Sequence, residues 1–202
     1  MLWIKAHWVS AVELVAVGLL VVAVMVGADA YGRRRARSGA EAMFGVEAKS
    51  PASEARLAGL ERVADDYSRY FAGKRAMMEL GGRLLAEGRT AEAKRQFAKL
   101  ADGSRSQAVL RIAALHRLAE TRLAEGDPAA AAEAYRKAAA DPGNLIPKTS
   151  ELMAAACLER AGDFQGAAEL YRIIIDGAGE DDRLVRARSE ERLLWLAANG
   201  RI

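Results

Sequence analysis

The pattern of apolar and polar positions divides the chain in two. Residues 8–28, WVSAVELVAVGLLVVAVMVGA, carry one charge, Glu13. As a helix rising about 1.5 Å per residue this run spans roughly 31 Å, the thickness of bilayer hydrocarbon. It predicts a transmembrane helix within an N-terminal anchor, residues 1–37. Trp8 and Tyr31 fall where interfacial aromatics belong, and Glu13 is placed to snorkel or to meet a partner helix. Two other readings stay open: a signal peptide with its apolar core at 14–26 and a cleavage pattern at Ala28-Asp29-Ala30, and a buried core helix. Residues 38–53 mix small residues, glycine and proline and read as a linker, or as a frayed continuation of the anchor helix.

From residue 54 to 202 the apolar positions recur every three or four residues, the mark of amphipathic helices. A lead-in helix is expected from about Glu54 to Tyr70, with Leu57, Leu60, Val63 and Ala64 on one face. Three segments then share one spacing: Gly88, Ala93, Phe97; Gly126, Ala131, Tyr135; Gly162, Ala167, Tyr171. A period of 36 to 38 residues between the glycines predicts stacked helical hairpins. Glycine ends the first helix of each hairpin. Alanine lets the two helices cross closely, and the aromatic one turn later fills the space between hairpins. The repeats are expected at about 74–104, 112–143 and 148–179. A charged capping helix follows at 181–198, with Leu184, Ala187, Leu194 and Ala198 on its packed side. The expected fold class is all-α: an N-terminal transmembrane helix, then an α-solenoid of about three hairpins with a lead-in and a capping helix.

This register resembles the tetratricopeptide repeat. Met77, Leu80, Gly81, Leu84, Gly88, Ala93, Phe97 and Leu100 fall on that family's packing positions. The whole plan resembles the single-pass ancillary subunit of the bacterial Sec translocon. That resemblance implies an inner-membrane protein with a periplasmic domain, binding translocon subunits or chaperones in protein export. In such repeats the first helix of each hairpin lines a concave groove. By register the lining includes Arg75, Met78 and Leu85, then His116, Glu120 and Leu123, then Leu152, Glu159 and Arg160. These basic groups are too few to clamp a peptide carboxylate, so the groove suits an amphipathic helix or an extended apolar segment.

Charge and composition narrow the function. The net charge of +3 sits wholly in residues 1–37, where Arg33, Arg34, Arg35 and Arg37 follow the apolar run; residues 38–202 are neutral. That distribution speaks against nucleic-acid binding. The four arginines are suited to anionic lipid, and by the positive-inside rule they favour a cytoplasmic domain, against the resemblance. One cysteine, Cys157, and two separated histidines leave no metal site, no cofactor and no catalytic constellation to assign. The expectation is a non-catalytic, membrane-tethered protein-binding module without a small-molecule substrate. A structural scaffold in another envelope machine (secretion, motility or division) is the alternative.

Overall fold

A computed structural model describes the backbone of residues 2–49 and 53–202, with the side chains of residues 17–47 and 54–202. The described residues form nine α-helices: α1 Leu2–Lys49, α2 Ser53–Asp66, α3 Phe71–Ala86, α4 Thr90–Gly103, α5 Ala108–Ala124, α6 Pro128–Ala139, α7 Pro147–Ala161, α8 Phe164–Gly177 and α9 Arg183–Ala198. A single 3-10 turn, Glu180–Asp182, precedes α9.

The turn chemistry closes three hairpins, α3/α4, α5/α6 and α7/α8. Gly88, Gly126 and Gly162 sit at φ of 77°, 79° and 84°, a left-handed backbone that costs a side-chain-bearing residue about 1 kcal/mol or more. Asp127 and Asp163 then cap α6 and α8 by accepting from the Ala130 and Gly166 amides at 3.0 and 2.9 Å. Ala93, Ala131 and Ala167 are fully buried where the helices cross. Phe97 lies against Gly81 of its own hairpin, where an added Cβ would stand 2.6 Å from the ring. The hairpins stack side by side, and α9 lies on α8 and α7.

Two sequence expectations need correction. Residues 38–49 follow the second of the two readings and not the linker: α1 runs unbroken to Lys49. Met43 is buried in the first core, and Ala42 and Val46 pack against it. Gly39 approaches Tyr67 and Ala72, and Gly59 of α2 approaches Val46. The end of α1 therefore pairs with α2 as a further hairpin, antiparallel to α2 and parallel to α3. The second correction concerns α9. Leu184 and Leu194 are exposed, as are Ala187 and Ala198. Val185, Leu193 and Leu196 face the core instead, and Ser189 is buried there with its hydroxyl donated to the Val185 carbonyl at 2.9 Å.

Among the described residues no helix is long and apolar enough to cross a membrane. The expected span over 8–28 is only partly covered, because the side chains of Trp8 and Glu13 lie outside the described residues. Its described half, from Val17 to Ala28, is exposed throughout.

Candidate docking surface

The expected groove residues fall into three groups along the stack, and most of their polar atoms already have partners. At the α1 end, Arg75 donates to Glu47 at 2.6 Å. Met78 and Leu85 are half-buried against the first core. Arg35 stacks over the Tyr67 ring at 5.3 Å, and Arg33 pairs with Asp29 at 2.5 Å; Arg34 and Tyr31 are exposed.

In the middle, His116 is a strut between hairpins. Its Nε2 is 2.8 Å from the Ser150 hydroxyl of α7, and its ring meets Tyr135 edge-on at 5.1 Å. Asn144 donates both to that hydroxyl and to the Ala138 carbonyl, at 3.1 and 2.7 Å. The Ser150 proton is then free for His116, which accepts it in its neutral form. Burial pushes the His116 pKa below its ordinary value, with the Glu120 charge opposing. Burial likewise raises Tyr135 to about 12. Glu120 pairs with Arg117 at 2.7 Å, and Leu123 packs against the second core.

At the α9 end, Glu159 ties three helices together. It accepts from the Tyr171 hydroxyl at 2.6 Å, from Arg192 Nε at 3.1 Å and from Arg192 Nη2. Burial opposes its ionisation, but the Arg192 and Tyr171 hydrogen bonds outweigh that and hold its carboxyl below the usual range. Arg192 also covers the Trp195 ring at 4.6 Å. Glu159 and His116 thus act as struts between helices, and Glu159 also lines the cleft at the α9 end.

What remains open is a cleft of about 520 Å³ between α7, α8 and α9. Leu152, Met153, Ala156, Phe164 and Trp195 supply its apolar wall, with the exposed Arg160 and Arg188 among its lining. Of its lining, the sequence reading places Leu152, Glu159 and Arg160 in the groove but not Met153, Phe164, Arg188 or Trp195. Residues on α7 and α9 are brought together by stacking, and no local spacing announces it. The cleft has an adaptable thioether, two aromatic faces and cationic groups, which is chemistry for gripping a peptide side chain. It offers no nucleophile: Cys157 is buried and burial raises its thiol pKa, with Arg160 opposing. Among the described residues no three acidic, histidine or cysteine side chains gather as metal ligands.

Residues 2–142 match the family model for the tetratricopeptide repeat-like domain. No curated protein sequence matches. Among solved structures, the nearly identical TPR-like repeats of a candidate kinesin light chain from Podosopora anserina superpose with a TM-score of 0.56 at 20% identity. That match covers 83% of this chain and 86% of the other. A variant of those repeats gives a TM-score of 0.48 at 20% identity, over 80% and 93%. At this identity the likeness shows a repeat fold and nothing further.

Proposed function

We propose, from the premise that this chain belongs to the tetratricopeptide repeat-like domain family, that it is a non-catalytic protein-binding module tethered to the bacterial inner membrane. The single observation that carries the binding role is the apolar cleft at α7, α8 and α9. Helical-repeat folds bind protein segments along such surfaces, and Trp195 and Met153 give this one its contact area. The tether is supported by the exposed large apolar side chains from Val17 to Val26. The family match begins at residue 2 and so takes in the apolar segment.

Tethering raises the local concentration of the domain near partners in the same membrane, so a modest cleft affinity suffices. The partners proposed are translocon subunits or export chaperones, with the domain on the periplasmic side. Crosslinking in cells followed by detergent solubilisation should recover those subunits, and Trp195→Ala with Met153→Asp should abolish the recovery without unfolding the protein. Recovery unaffected by both substitutions counts against the cleft. A topology reporter fused after Ile202 should be active on the periplasmic side; activity in the cytoplasm overturns the export role. The scaffold alternative makes a different demand: Glu13→Leu would then break stoichiometric assembly with other membrane subunits.

A further inference from the structure

The three hairpins repeat one feature that packing does not require. Phe71, Val109 and Leu145 each stand 17 residues before the left-handed glycine of their hairpin, at Gly88, Gly126 and Gly162. They therefore occupy one position of the repeat, at or just ahead of its first helix: Phe71 opens α3, Val109 is second in α5, and Leu145 lies two residues before α7. All three are exposed, at 65%, 72% and 89%, and Ile146 beside Leu145 is exposed as well. Single exposed apolar residues are ordinary. The same register filled with a large apolar side chain three times, and uncovered each time, is a patterned surface.

These positions lie along one continuous edge of the stack. Lys74 at the start of α3 donates to Gln107 ahead of α5 at 3.0 Å. Gly143 ahead of α7 lies against Ala108 at the start of α5. Arg111 clasps Asp141 through Nε and Nη2, at 2.5 and 2.8 Å, and donates to the Ser104 carbonyl at 3.0 Å. The edge is thus laced from hairpin to hairpin, with the apolar side chains standing out of it.

The direction of α1 says what this edge faces. Gly39 is level with Tyr67 and Ala72, at the same edge, and α1 runs parallel to α3. Residues before Gly39 therefore leave the domain from the side on which Phe71, Val109 and Leu145 lie. We propose that this edge leans onto the lipid surface into which α1 inserts, with Leu145 and Ile146 seated in the headgroup zone and Val109 and Phe71 facing it from progressively further out. The proposal rests on the membrane tether proposed above.

The distances permit it. Ala28 precedes Gly39 by 11 residues, about 16 Å along a helix. An upright α1 would hold the edge clear of a headgroup layer about 5–7 Å deep. A tilt of about 20°, ordinary for a membrane helix, lowers the edge progressively when first-position helices stand at ~10 Å spacing, by about 3 Å at Phe71, about 7 Å at Val109 and about 10 Å at Leu145, which brings Leu145 and Ile146 to the headgroup layer. Contact is expected to end at Leu145 and Ile146. Leu184 comes next along the edge but follows the acidic turn Glu180–Asp182, which anionic headgroups repel.

The test uses the full chain in nanodiscs of brominated phosphatidylcholine. A fluorophore is attached at one cysteine at a time in a Cys157→Ala background: Met25→Cys, Phe71→Cys, Leu145→Cys, or Gln165→Cys on the opposite edge. The proposal expects strong quenching at 25, at least twofold greater quenching at 145 than at 165, and quenching at 71 between those two. Quenching at 25 with 71 and 145 equal to 165 overturns the edge contact and leaves the tether standing; an edge reserved for a protein partner would give that result. No quenching at 25 overturns the tether and the edge contact together.

Discussion

The first and second hairpins have the same backbone plan but are held by different forces. Around α3 and α4 the core is large and aliphatic: Leu60, Met77, Leu80, Leu84, Phe97 and Leu100 are all buried together. Around α5 and α6 it is Ala119, Ala131, Ala132, Ala134 and Ala154, with Tyr135 and Cys157 as its larger members. Alanine contributes little transfer energy but lets helices approach closely. There the fold adds a polar strut, His116 to Ser150 to Asn144, while the buried Thr121 hydroxyl is satisfied within its own helix by the Arg117 carbonyl at 2.8 Å. One repeat register thus tolerates two ways of holding neighbours. The aliphatic way depends on volume, and the alanine way depends on satisfied hydrogen bonds.

Substitutions can break that contrast. The largest effect is expected from Phe97→Ala, about 3–5 kcal/mol, because it empties the aliphatic core. Thermal or denaturant unfolding measures it. Gly81→Ala should cost about 1–3 kcal/mol by overpacking, since its new Cβ meets the Phe97 ring; combined with Phe97→Leu the cost should shrink.

At the far end, Glu159→Gln should cost about 2 kcal/mol, less than a fully buried pair because Arg192 is partly exposed. Hydrogen exchange should show α9 loosening first. The Glu159 carboxyl is held below its unfolded value, so its contribution is complete above about pH 4.3 and is lost as pH falls through its depressed pKa. Wild type should lose α9 protection in that acid range more steeply than Glu159→Gln.

The smallest effect belongs to His116. Its folded pKa lies below the unfolded value of about 6.5, so the unfolded chain binds the proton more readily and stability falls as pH drops below that value. A Tm series from pH 7.5 to 5.5 should decline for wild type and flatten for His116→Phe. An equal decline in both would remove His116 from the account.

The hairpins were legible because glycine, alanine and aromatic recur at fixed offsets. The end of α1 was only half legible, since a linker and a continued helix both fit its composition. Ser38, Gly39 and Gly45 have loop-like composition, yet Gly39 is small because Tyr67 and Ala72 press against it, not because the chain turns. The packed side of α9 was misassigned because Leu184, Ala187, Leu194 and Ala198 form as regular a stripe as the residues actually buried. A serine on the true face, satisfied by its own helix, hid the pattern. His116 and Glu159 were placed on the correct helices, but their partners Ser150 and Arg192 are 34 and 33 residues away, so only stacking reveals that they are engaged.

The central claim is that the helix leading out of the repeat stack is also part of it, so that apolar segment and docking domain form one body without a hinge. Hydrogen exchange across residues 38–47 of the full chain in detergent micelles tests this directly. The account predicts protection there comparable to that of α2 and α3. Exchange within seconds over 38–47, with α2 and α3 still protected, would contradict it.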